Sequence, residues 1–154
     1  LIDYYYFTKA TEPGKSYALD ARPVIDGTLG GKTEATEDDI TALVEQLKEY
    51  VDNGITTIIV PGSEPAMIDV GSLTITAIGE AIYRLSKEES YNGKIDLILP
   101  DVTEIVDQEF DGAHALNSIN LPKVTTVGDG AFYDCQYLEE LMTDMDIMTR
   151  NKLI

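Results

Sequence analysis

The sequence predicts an α/β fold: a short solenoid of stacked units with a small parallel sheet and an N-terminal capping helix. Three observations carry this expectation. Leu97, Leu99, Pro100, Val102, Thr103, Ile105, Phe110 and Leu116 return 22 positions later as Ile119, Leu121, Pro122, Val124, Thr125, Val127, Phe132 and Leu138. Each copy opens on an apolar residue, a spacer and an apolar residue followed by proline. One strongly amphipathic segment, 36–54, precedes the copies. A fixed period of this size marks units too small to bury their own apolar face, which must stack on a neighbour.

Leu97-x-Leu99 and Ile119-x-Leu121 alternate with the two-residue period of a strand, and the proline that follows has no N–H for the ladder. Each unit therefore opens with a very short strand. Val-Thr-x-Ile/Val supplies a second apolar pair. A turn of helix or an irregular return follows, with one aromatic, Phe110 or Phe132, plugging the layer. Because every strand enters its layer in the same direction, stacking places them in a parallel sheet.

At these residues the chain resembles a family. LPKVTTVGDGAFYDCQYLEEL, from Leu121 to Leu141, and the weaker LILPDVTEIVDQEFDGAHALNSI, from Leu97 to Ile119, are similar to the BspA-type leucine-rich repeat, whose pattern runs LP-x-V-T-x-I-G-x-x-A-F-x-x-C-x-x-L-x-x-I. Gly128, Ala131, Phe132, Cys135 and Leu138 stand at its defining positions. The first copy departs, with Val106 for Gly, Glu109 for Ala and Ala113 for Cys. A third, degenerate unit is traced by Ile58-x-Val60-Pro61 and by Ile75 to Tyr83, with residues 62–74 as an insertion. The resemblance implies a leucine-rich-repeat domain over 36–154: a helix cap 36–54, a degenerate repeat 55–95, repeats 96–117 and 118–139, and a C-terminal cap 140–154. It also implies a secreted or surface-displayed bacterial protein, with a possible lipid anchor upstream.

In the helix, Thr36 is an N-cap and Asp39 completes a capping box; Ile40, Leu43, Val44, Leu47, Tyr50 and Val51 form one apolar stripe, and Gly54 ends it. This helix is expected to cap the first layer or to form its helical half. A second amphipathic segment runs from Ile78 to Leu85, with Lys87-Glu88-Glu89 as its solvated exit. Residues 1–35 read as a tether or a small irregular element, in which Tyr4-Tyr5-Tyr6-Phe7 suits a strand and Pro13-Gly14 and Gly30-Gly31 mark turns. At the other end Met142, Met145, Ile147 and Met148 suit a cap of adaptable side chains or an exposed Met-rich contact surface.

A chain of 154 residues, 44% apolar, buries roughly 70% of its unfolded surface as one domain. The single cysteine forms no internal bridge, and Cys135 is expected to be inert core. The net charge of −17 repels phosphates and anionic lipid, which disfavours nucleic acid and polybasic-type membrane partners. The acidic residues lack the order of an EF-hand loop, and with one histidine there is no His-based metal cluster. No run of about 18 apolar residues occurs, so no membrane-spanning helix is expected.

Catalytic patterns are weak. Gly27-Thr28-Leu29-Gly30-Gly31-Lys32-Thr33 is one residue short of a phosphate-binding P-loop and reads as a Gly-rich linker. His114 falls in the variable part of a repeat and is expected to make an inter-repeat or surface contact. No metal, cofactor or catalytic residue is assigned. The expected function is a non-enzymatic protein- or glycan-binding, adhesion-type module, partnered by a host or bacterial surface protein or glycan. The alternatives are a carboxylate-dependent hydrolase, for which only acidity speaks, and a structural spacer. Its ligand-binding face would be the outward strand positions Thr57, Ile59, Asp96, Ile98, Ser118, Asn120, Glu140 and Met142.

Overall fold

The computed structural model describes residues 22–143. The expected elements in Tyr4–Phe7 and at Met145, Ile147 and Met148 lie outside the described residues. Among the described residues the fold is α/β, with a small parallel sheet and two α-helices.

Helix α1, Glu37–Asp52, begins where the sequence predicts. Thr36 accepts from the Asp39 backbone N–H, and the Asp39 side chain accepts from the Thr36 N–H, so two of the donors orphaned at a helix start are satisfied reciprocally. Ile40, Leu43 and Leu47 are buried, and Val44, Tyr50 and Val51 pack partly buried beside them. Asn53 caps the end and Gly54 follows at φ 80°.

The main sheet holds four parallel strands in the order β1 (Thr57–Ile59), β4 (Ile95–Ile98), β6 (Leu116–Leu121) and β8 (Glu140–Thr143). Its register follows the sequence period: Asp96 pairs with Ser118 and Ser118 with Glu140, each 22 positions on. Thr57 pairs with Asp96 across 39 positions. At the start of β4, Ile95 faces Leu116 while Asp96 faces Ser118, so Asn117 is the extra residue of a bulge. Its side-chain amide donates to Asp96 Oδ1 at 2.8 Å.

Between β1 and β4 the chain makes an antiparallel hairpin, β2 (Met67–Val70) and β3 (Leu73–Thr76), and then helix α2, Ala77–Leu85. The segment 62–74, expected only as an insertion, thus carries one whole strand and half of another. Val70 and Leu73 pair directly across Gly71-Ser72, and Gly71 takes φ 74°. Helix α2 buries Ile78, Ala81, Ile82 and Leu85, and it packs against α1. Arg84 joins the two helices, pairing with Glu80 on its own helix and Glu37 on the other, each at 2.8 Å.

In both repeats the return is a run of turns rather than helix, spanned by the short parallel pair β5 (Glu104–Ile105) and β7 (Thr126–Val127). Phe110 and Phe132 are fully buried and stack, with centroids 5.6 Å apart. Gly128 allows the two returns to close, because a Cβ there would strike the backbone of Val106 and Asp107.

Of the segment expected as a tether or irregular element, residues 22–35 pack against the sheets without regular structure. Ile59 N–H donates to the Pro23 carbonyl and Ile25 N–H to the Ile59 carbonyl, with Val24 bridging Ile59 in parallel. Ile25 is buried and Glu34 bridges Met67.

Candidate functional site

The register places the eight expected face residues in two rows across the sheet. Thr57, Asp96, Ser118 and Glu140 are successive Cα partners, and so are Ile59, Ile98, Asn120 and Met142. The first row is the accessible one. Thr57, Asp96 and Ser118 are half-buried and Glu140 is exposed. Asp96 Oδ1 accepts from the Ser118 hydroxyl at 2.7 Å as well as from Asn117, which fixes the carboxylate and aligns the hydroxyl.

The second row needs correction. Ile59, Ile98 and Asn120 are only 4%, 6% and 8% exposed, so they do not offer a ligand surface. Ile59 and Ile98 are direct partners, and paired β-branched side chains remove one another from water. Met142 alone in this row is exposed.

The Gly27–Thr33 stretch carries its own anion. Asp26 Oδ1 accepts from the Thr28 N–H at 2.9 Å and the Thr28 hydroxyl at 2.6 Å, and Oδ2 from the Gly30 N–H at 2.8 Å. These bonds, the Thr28 hydroxyl first, hold Asp26 below the usual carboxylate range. Amides that a phosphate-binding loop would aim at its ligand are spent on this carboxylate.

Cys135 is buried, its thiol donates to the Phe110 carbonyl at 3.0 Å, and burial pushes its pKa up to about 12. A thiol so rarely ionised is a packing element rather than a nucleophile. His114 makes an inter-repeat contact, with Nε2 3.3 Å from Asp134 Oδ2.

One titratable group stands out inside the fold. Glu109, where the second copy has Ala131, is buried; Oε1 accepts from the Val106 N–H at 3.0 Å and Oε2 from the Thr76 hydroxyl at 2.9 Å. Thr76 in turn N-caps α2 by accepting from Gly79 N–H. Burial pushes the Glu109 carboxyl up to about 7 despite both bonds.

No family model matches this chain, and neither a curated protein nor a solved structure is significantly similar to it. Among the described residues no group of three or more His, Cys, Asp or Glu side chains is placed to hold a metal ion. Among the same residues no helix is long and apolar enough to cross a membrane.

Three polar residues share the period and line one groove, Asn92, His114 and Gln136, each 22 positions apart; of these the sequence picks out only His114. The period is present at Asn92 and Gln136 too, but an amide carries no burial signal that marks it as part of a repeat.

Proposed function

We propose that the chain is a short leucine-rich-repeat solenoid, related to the BspA type, acting as a non-enzymatic protein- or glycan-binding module on the outside of a bacterial cell. The observation that carries this reading is the row Thr57, Asp96, Ser118 and Glu140, drawn from four successive strands and set in line by the register. A row of hydroxyls and carboxylates on a rigid sheet offers acceptors and donors at the strand spacing of about 4.8 Å. The repeat reading is supported by the 22-residue register, the Phe110–Phe132 stack and the buried thiol of Cys135.

The test is a screen of the whole chain against immobilised glycans and extracellular-matrix proteins, beside a Ser118→Arg, Glu140→Arg double variant with an unchanged circular dichroism spectrum. Saturable binding by the wild type that the variant loses supports the reading. Absence of binding, or equal binding by both, contradicts it.

A further inference from the structure

The groove lined by Asn92, His114 and Gln136 encloses about 530 Å³ and lies where the chain approaches β4, β6 and β8, apart from the strand row. Its architecture comes from the repeat. Successive units contribute an amide, an imidazole and an amide at equivalent positions, so the groove carries a ladder of polar donors and acceptors.

The ladder is held in place. Asp134 Oδ1 accepts from the Gln136 side-chain amide at 3.0 Å, and Oδ2 pairs with His114 Nε2. Asn92 differs from both, since its Oδ1 is buried and has no hydrogen-bond partner among the described residues. A buried acceptor without a donor is costly, and Asn92 is the member of the ladder that carries such a cost.

Two exposed tyrosines stand along the same groove, Tyr83 and Tyr137, 39% and 42% exposed. Each lies against a glycine in the left-handed region, which fixes its position. A Cβ on Gly112 (φ 71°) would come to 3.4 Å from the Tyr83 ring, and one on Gly93 (φ 65°) to 3.4 Å from the Tyr137 side chain. Lys87 Nζ sits 4.9 Å from the Tyr83 ring centroid, and the His114 ring meets Tyr137 at 6.0 Å with planes 63° apart.

In a chain of net charge −17 this groove is nearly neutral: Lys87 is set against Glu89 and Asp134. It is not built to select an ion. The Ser86 hydroxyl in it is spent, because Ser86 Oγ donates to the Ile82 carbonyl at 2.6 Å and accepts from the Ala115 N–H at 2.9 Å. Fixed aromatic faces beside amides, an imidazole and a carboxylate complement a molecule with flat C–H faces and a rim of hydroxyls. We infer that this groove binds a neutral oligosaccharide, with the rings of Tyr83 and Tyr137 stacking on sugar faces and Asn92, His114, Asp134 and Gln136 bonding the hydroxyls.

The experiment is calorimetric titration of the whole chain with neutral oligosaccharides, namely the hexaoses of cellulose, xylan, mannan, laminarin, amylose and chitin, followed by the tightest binder against three variants. Tyr137→Ala is expected to weaken binding roughly tenfold or more, Tyr137→Phe to retain it within about threefold, and Ser118→Arg, on the strand row, to leave it unchanged. Failure of all six sugars to bind overturns the inference. So does binding that Tyr137→Ala does not weaken, or that is lost in Ser118→Arg, which would move the sugar to the strand row. Because the strand-row reading requires loss of binding in the Ser118→Arg, Glu140→Arg variant and this one requires loss in Tyr137→Ala, either proposal fails without the other.

Discussion

Phe110 and Phe132, 22 positions apart in the chain, stack inside the core with ring centroids 5.6 Å apart and planes 11° from parallel. Each ring is the large plug of its own unit, and each uses the other as a wall. Replacing either removes a buried aromatic and leaves its partner facing a cavity. Phe132→Ala is expected to cost about 3–5 kcal/mol. In a double-mutant cycle with Phe110→Ala the coupling should be about 0.5–1.5 kcal/mol, read from urea unfolding. Strict additivity would mean the two units do not support one another.

Glu109 makes stability depend on pH near neutrality. Its folded pKa of about 7 lies above the ordinary 4.5, so the folded state holds the proton more tightly than the unfolded chain does. That contribution is fully present below pH 4.5 and is lost as pH rises through 7, a change on the order of 3 kcal/mol. Glu109→Gln keeps an acceptor for Val106 N–H and offers Thr76 Oγ a donor without a charge. The variant should be equal to the wild type at pH 4 and more stable than it at pH 8 by the same order, about 3 kcal/mol. Parallel stability curves for the two proteins would exclude this origin.

Asp39 acts in the opposite sense at lower pH. Its bonds from the Thr36 N–H and the Lys32 ammonium hold its pKa at about 2, so the stability it contributes is lost as pH falls from the ordinary 3.8 through 2. Thr36→Ala removes the reciprocal half of the capping box and is expected to lower stability by about 1 kcal/mol at neutral pH. Thermal unfolding at pH 7 and pH 3 checks both statements. A Thr36→Ala protein with an unchanged Tm at pH 7 would show that the cap is energetically idle.

Gly128 and Gly71 separate two reasons for glycine. At Gly128 the obstacle is space, since a Cβ meets the backbone of Val106 and Asp107; at Gly71 it is the backbone angle alone, with nothing within 4 Å. Gly71→Ala should cost about 1 kcal/mol. Gly128→Ala should cost more, about 2 kcal/mol or above, because two returns must separate. Equal losses in guanidinium unfolding would contradict the close packing of the returns.

Much of this fold is legible in the sequence because its units repeat. The pairing of Asp96 with Ser118 and of Ser118 with Glu140 follows from a period that any reader of residues 97–138 can count. The capping box at Thr36 and Asp39 is equally local. The hairpin of β2 and β3 is marked by Gly71-Ser72 between Val70 and Leu73, a two-residue turn signal inside a segment too easily dismissed as an insertion. Burial of Ile59 and Ile98 is not legible, because alternation separates inward from outward but does not say whether an outward side chain meets water. The bond from Thr76 to Glu109 joins residues 33 positions apart through a hairpin and a helix start, and no local pattern announces it. The Tyr83 and Tyr137 groove is not legible either, because the period that aligns Asn92, His114 and Gln136 does not say which side chains stand beside them.

The most direct test of the account is an equilibrium binding isotherm of the intact chain on the tightest glycan or matrix protein from the screen, with the bound partner then eluted and weighed by mass spectrometry. The account predicts a saturable isotherm, weakened by Ser118→Arg with Glu140→Arg or, for a neutral sugar, by Tyr137→Ala, and a partner recovered with its mass unchanged. A partner recovered cleaved, or an isotherm that none of these substitutions alters, would contradict it.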